Sequence, residues 1–107
     1  MQRQLKFRCF DTYTGRYIPG FRLGQAREYP VGIVEQCTGL KDREGTLIYD
    51  GDIVEHNARY CVVEWYKGGF WVNTLSNGVK WHIHLLHSAV KVVGNIHENY
   101  KLLRGNK

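Results

Sequence analysis

The chain has 107 residues, 43% of them hydrophobic and 13% aromatic, which suits one domain with a packed core and excludes a disordered chain. No apolar run approaches the ~18 residues of a membrane helix, and the opening MQRQLKFRC has no signal-peptide core, so a cytoplasmic protein without membrane contact is expected. The net charge of +5 permits attraction to a polyanion, but the basic residues are dispersed, and solubility alone accounts for such a balance.

Residues 3–10 alternate as a half-buried strand does. Leu5, Phe7 and Cys9 point one way, and Lys6, Arg8 and Phe10 the other, which directs Lys6 and Arg8 to solvent. Asp11 to Gly15 is turn-rich, and Arg16-Tyr17-Ile18 resumes a strand as a first hairpin. Pro19-Gly20 ends it. Residues 20–32, punctuated by Gly20, Gly24, Pro30 and Gly32, show no period and read as a loop or short irregular excursion.

Order returns with GIVEQCTG. Lys41 to Gly45 has the composition of a reversal, with Gly45 placed to take a positive φ, and Thr46 to Tyr49 is a short extended piece. Asp50-Gly51-Asp52 is a second tight corner, in which Gly51 takes the left-handed conformation and the flanking carboxylates cap backbone N–H groups. Ile53-Val54 opens the next strand. Residues 60–66 (YCVVEWY) and 70–73 are β-branched and aromatic, and Gly68-Gly69 between them signals a hairpin. Asn77-Gly78 signals another, leading into a strand over Val79–Leu85. Residues 89–97 form a last strand in which Gly94 marks a bulge or a close backbone approach. Only Asn99 to Arg104 suits a helical turn, with Asn99 as its N-cap. Short strands with turns between them predict one all-β domain over residues 1–107, a small closed or nearly closed barrel.

The run Gln36–Asp42, then Gly45, then Ile48-Tyr49-Asp50-Gly51-Asp52-Ile53-Val54, resembles the signature of the YopX family of phage and prophage proteins. Leu5–Asp11, Val62–Trp65 and Val93–Asn99 resemble it in the same order. The resemblance implies an SH3-type, partly open β-barrel and a phage or prophage origin, hence the cytoplasm of a bacterial host. It carries no catalytic residue set. Residues 20–32 and the basic excess fall outside it.

The glycines Gly39, Gly45 and Gly51 are not a phosphate loop, because no G-x-x-x-x-G-K-[ST] run is present. Asp42, Asp50 and Asp52 lack the further ligands of a calcium loop, so Gly39, Gly45, Asp50, Gly51 and Asp52 are read as a structural turn motif. Cys9, Cys37 and Cys61 are odd in number and far apart, which suggests reduced, partly buried thiols rather than disulfides or a zinc knuckle. On a strand, His82 and His84 share a face, and His87 or Cys61 could complete a zinc or nickel site. Period-2 alternation alone produces the same pattern, so neither metal nor cofactor is expected. Nothing marks a nucleophile elbow, and the chain is not expected to be an enzyme.

Aromatic and basic residues interleave in Tyr60, Trp65, Tyr66, Lys67, Phe70, Trp71, Lys80 and Trp81. Small barrels bind single strands by stacking bases on exposed rings beside cations. Trp65, two residues after Val63, is expected in the core, which leaves Tyr66 and Trp71 as the exposed pair. Lys6, Arg8, Tyr66 and Trp71 are therefore the candidate ligand-binding residues, joined by Arg3, Lys101 and Arg104 if the termini pack together. The reading is a non-enzymatic binding module for single-stranded nucleic acid or a nucleotide-like anion. The alternative is a host protein partner, or self-association, through a strand edge or aromatic patch. A metal-dependent enzyme built on His82 and His84 ranks third.

Overall fold

The computed structural model describes residues 6–74 and 78–104. Among these residues nine strands form two antiparallel sheets. In the first, β2 (Arg16–Tyr17), β1 (Phe7–Asp11), β3 (Gly32–Lys41) and β4 (Leu47–Tyr49) lie in that order. In the second the order is β8 (Lys80–His82), β7 (Gly69–Asn73), β6 (Arg59–Tyr66), β5 (Asp52–His56) and β9 (Lys91–Asn95). The chain is all-β, a small SH3-type, partly open barrel. Its core is built from Ile48, Val54, Cys61, Val63, Val72, Ile83 and Val90. None of the helices among the described residues is long and apolar enough to cross a membrane.

Helical turns are more numerous than the single C-terminal one expected. A 3₁₀ helix, Leu23–Glu28, occupies the stretch read as irregular, and α1 (Ile83–Leu86) interrupts the strand expected over Val79–Leu85. The interruption follows from burial. Ile83 turns inward to the core, Leu86 packs against it one helical turn later, and the His82 ring accepts the His84 N–H at 3.4 Å as an N-cap. A 3₁₀ turn, His87–Ala89, follows, and β9 begins only at Lys91.

β3 serves both halves of its sheet. Its first part pairs with β1, from Phe7↔Gln36 to Asp11↔Gly32, and its second part pairs with β4. Between Cys37↔Tyr49 and Lys41↔Leu47 the register shifts, at Gly39, whose φ is +80°. Such a bulge bends a strand and increases its twist. Thr38 locks the bend, its hydroxyl donating to Ile48 O at 2.8 Å and accepting from Leu40 N at 3.1 Å.

The corner at Asp50–Asp52 joins the two sheets. Gly51 has φ +88°, its N–H donates to Val63 O at 2.8 Å, and its carbonyl accepts from Ile96 N at 2.9 Å. Asp52 accepts from Tyr49 N at 2.7 Å and Asp50 from Trp65 N at 3.3 Å, so both carboxylates cap as expected. Gly45, at φ +84°, closes the preceding reversal.

The β6–β7 hairpin turns on Lys67-Gly68, both at positive φ, with Tyr66 opposite Gly69, one residue earlier than the Gly-Gly signal suggested. Asn77 of the next turn signal lies outside the described residues. Gly94 fits both expectations placed on it. Pairing steps from Ile53↔Gly94 to Val54↔Val92, leaving Val93 bulged, and the Asn99 side chain lies where a Cβ on Gly94 would be. Asn99 caps in an unexpected direction: its side chain accepts from Asn95 N at 3.1 Å instead of from α2 (Lys101–Arg104).

Candidate functional site

Two arrangements attract attention, one sealed and one open. The sealed one corrects the reading of Arg8. Its Nε donates to Glu35 Oε1 at 2.8 Å, and its Nη2 pairs with Asp52 Oδ1 at 2.8 Å. The Tyr17 and Tyr49 rings each lie 4.7 Å from the guanidinium carbon. Glu35 and Asp52 are only 3% and 2% exposed. The Tyr17 hydroxyl donates to Glu35 Oε1 at 2.8 Å, and His97 Nε2 stands 3.0 Å from Oε2. His97 also stacks on Phe10 at 4.4 Å, covering the face of β1 that alternation assigned to solvent.

Charge follows burial here. Burial pulls the Arg8 guanidinium pKa down, but Asp52 and Glu35 more than offset this and hold it above its ordinary value. Burial pushes Asp52 up to about 6 in spite of Arg8, which divides its charge between two carboxylates. Burial and the Glu35 bond raise the Tyr17 phenol well above its usual range. A buried ion pair with its remaining lone pairs satisfied is a structural element. Arg8 is thus held between two carboxylates and is not the free, solvent-directed cation that alternation predicted.

The open arrangement is a cleft of about 460 Å³ between the β3 bend and the β6–β7 hairpin. Lys6, Trp65, Phe70, His82 and His84 line it, and among the described residues its walls contain no Asp or Glu. Lys6 is exposed and makes no ion pair among the described residues. Its backbone carbonyl accepts from Cys37 N at 2.8 Å, which fixes the lysine at the rim. Trp65, two residues after Val63, was expected in the core with it, and the structure corrects this. It is 54% exposed where the hairpin runs past the core, and its ring meets Phe70 edge-on at 4.9 Å.

The remaining candidates lie elsewhere. Tyr66 is on the opposite face of the hairpin, with Lys67 and Lys80 at 5.3 and 4.9 Å from its ring, and Lys80 also pairs with Glu64 at 3.1 Å. Trp71 is half-buried; its indole N–H donates to Tyr66 O at 2.8 Å and its ring meets His82 edge-on at 5.1 Å. The four candidates thus occupy three places: Arg8 inside, Lys6 at the cleft, and Tyr66 with Trp71 on the outer face. Trp65, Phe70 and His84 were missed. The signal for them was a hairpin turn placed two residues beyond Trp65, too far out for that ring to be covered.

The residues weighed as metal ligands have other partners. Asp42 accepts from Glu44 N, Thr46 N and Val92 N at 2.9, 2.8 and 2.8 Å. Burial pushes its pKa up, but those three N–H groups bring it below the ordinary carboxylate value. His82 and His84 stack on one another at 4.9 Å instead of alternating along a strand, and His87 Nδ1 lies 2.9 Å from Lys41 O. Among the described residues no three His, Cys, Asp or Glu are grouped to hold a metal ion. The three cysteines are free and buried, and burial pushes the Cys9 and Cys61 thiols up.

The model of the YopX protein family matches residues 20–104. The chain belongs to the YopX family. The YopX match takes in residues 20–32, which the sequence reading placed outside the resemblance, and leaves out β1, which that reading included. Lys6 and Arg8 therefore stand outside the matched YopX segment, while Glu35, Asp52, Trp65 and Phe70 lie inside it. The crystal structure of protein EF1440 from Enterococcus faecalis has a similar fold, with a TM-score of 0.65 at 24% identity over 95% of this chain and 99% of that one. No curated protein matches the chain.

Proposed function

We propose that this YopX-family protein is a phage- or prophage-encoded, non-enzymatic binding module of the host bacterial cytoplasm. Its ligand is flat and anionic, single-stranded nucleic acid or a nucleotide, and it enters the cleft beside Trp65. One observation carries the reading. Among the described residues, the cleft combines a half-exposed indole and a lysine without an ion pair with walls free of acid. Base stacking on an aromatic ring with a cation at the phosphate is the recurring solution for such ligands. Among the described residues, Glu35 and Asp52 are committed to Arg8, and burial raises the Cys9 and Cys61 thiols, which suits a binder.

The test is anisotropy of a labelled single-stranded oligonucleotide titrated at about 50 mM salt. Micromolar or weaker binding is expected, lost as salt rises and weakened by Lys6→Glu or Trp65→Ala. Flat titrations at low salt remove the reading. A second reading, a protein partner or a second copy, draws on Trp81 and Leu85, which are 48% and 71% exposed beside the edge strand β8. Concentration-dependent sedimentation in the same buffer would favour it.

A further inference from the structure

Lys6 lines two cavities. One is the cleft beside Trp65; the other is a groove of about 520 Å³ that runs to Phe21, Arg22 and Leu23 at the start of the 3₁₀ helix, with Tyr49 and Arg8 in its wall. Among the described residues this second lining also contains no Asp or Glu. Arg8 is neutralised by Glu35 and Asp52, so among the described residues the available cations in the groove are Lys6 and Arg22. Arg22 is exposed and makes no ion pair among the described residues, and its backbone N–H donates to Gln25 Oε1 at 2.9 Å, which sets the entry to the helix.

We infer that the ligand is a single strand of two or more nucleotides, running from the Trp65–Phe70 cleft over Lys6 into the Arg22 groove, rather than a mononucleotide; this rests on the reading of the cleft given above. A mononucleotide fills one cavity of this size and brings its charge to one place. A strand repeats its phosphate, and the two cavities repeat a cation, with Lys6 at their shared boundary. The apolar groove beside the cleft, lined by Phe7 and Val34, has Asp50 in its wall and is disfavoured for phosphate, so the strand leaves the cleft on the Lys6 side.

The experiment titrates the full chain at low salt with a mononucleotide, a dinucleotide and a hexanucleotide, the first followed by tryptophan fluorescence and the others by anisotropy. Inorganic polyphosphate serves as competitor. The hexanucleotide is expected to bind at least tenfold more tightly than the mononucleotide. Arg22→Glu should weaken the hexanucleotide severalfold and leave the mononucleotide unchanged, whereas Trp65→Ala should weaken both. Melting curves establish that both variants, altered at exposed positions, are folded. Equal affinity for mononucleotide and hexanucleotide, with Arg22→Glu silent, overturns the two-cavity path and leaves the cleft reading standing. No binding of any of the three overturns both. Polyphosphate competing as well as the hexanucleotide overturns a base-stacked strand in favour of a bare polyanion.

Discussion

Gly51 makes room for the Glu35 carboxylate: a Cβ at position 51 would overlap the oxygen that His97 holds. The position is demanding twice over, since its φ of +88° also disfavours a side chain. Gly51→Ala should therefore cost about 2–4 kcal/mol. Gly45→Ala provides the comparison. It has a similar φ of +84° with nothing near its Cβ direction, and should cost only about 1 kcal/mol. Urea midpoints of the two variants test this, and equal losses would contradict the steric role assigned to Glu35.

Arg8 and Lys6 are neighbours with opposite duties. Arg8→Ala strands two buried carboxylates and should cost about 3–5 kcal/mol. Lys6→Ala alters an exposed side chain and should stay within about 0.5 kcal/mol of the parent. Thermal melts separate the two. A silent Arg8→Ala would mean that the Glu35–Arg8–Asp52 arrangement does not hold the sheets together.

Stability should rise, not fall, as the solution becomes mildly acidic. The folded Asp52 pKa of about 6 lies above its ordinary value of about 3.9, so between those limits the folded chain keeps a proton that the unfolded chain has lost. This contribution declines as pH climbs from about 4 to about 6 and is level above that. Asp50 is shifted the same way, chiefly by burial. Asp42 acts oppositely: its stabilisation is present above the usual carboxylate range and is lost as pH falls through its lowered pKa. Denaturant midpoints should therefore increase from pH 7 to pH 5 and collapse only in stronger acid. Asp52→Asn should flatten the upper limb; an unchanged slope in that variant would assign it to another group.

Zinc or nickel should leave the melting temperature where it was, and so should a chelator, because a ligand bound only by the folded state raises it. A stoichiometric metal in the purified protein, lost from a His82→Ala/His84→Ala variant, would reverse this expectation.

What was legible in the sequence was local. Gly51, Gly45 and the Gly94 bulge announced themselves because a turn or bulge is a property of a few adjacent residues. Trp65 was expected in the core and is 54% exposed, because its cover depends on where the opposite sheet stops, which no spacing within β6 records. Arg8 shows the limit most clearly. Alternation pointed it away from Cys9, but Glu35 arrives from 27 positions along the chain and His97 closes over the same face. The strand expected over Val79–Leu85 failed for a similar reason: the core's demand for Ile83 outweighed a strand-like pattern.

The hold of His97 on Glu35 bears on how the barrel is made as well as on how it stands. β1 and β3 can zip together soon after both have been synthesised, since domains assemble from the N-terminal side as the chain emerges. Until residue 97 follows, however, the Glu35 carboxylate lacks its His97 contact and the Phe10 ring lacks its stacking partner. The early sheet is thus a provisional one. The tail after β9 is the clasp that makes it permanent, and a nascent chain stalled before that point would present its chaperones with an open sandwich instead of a barrel.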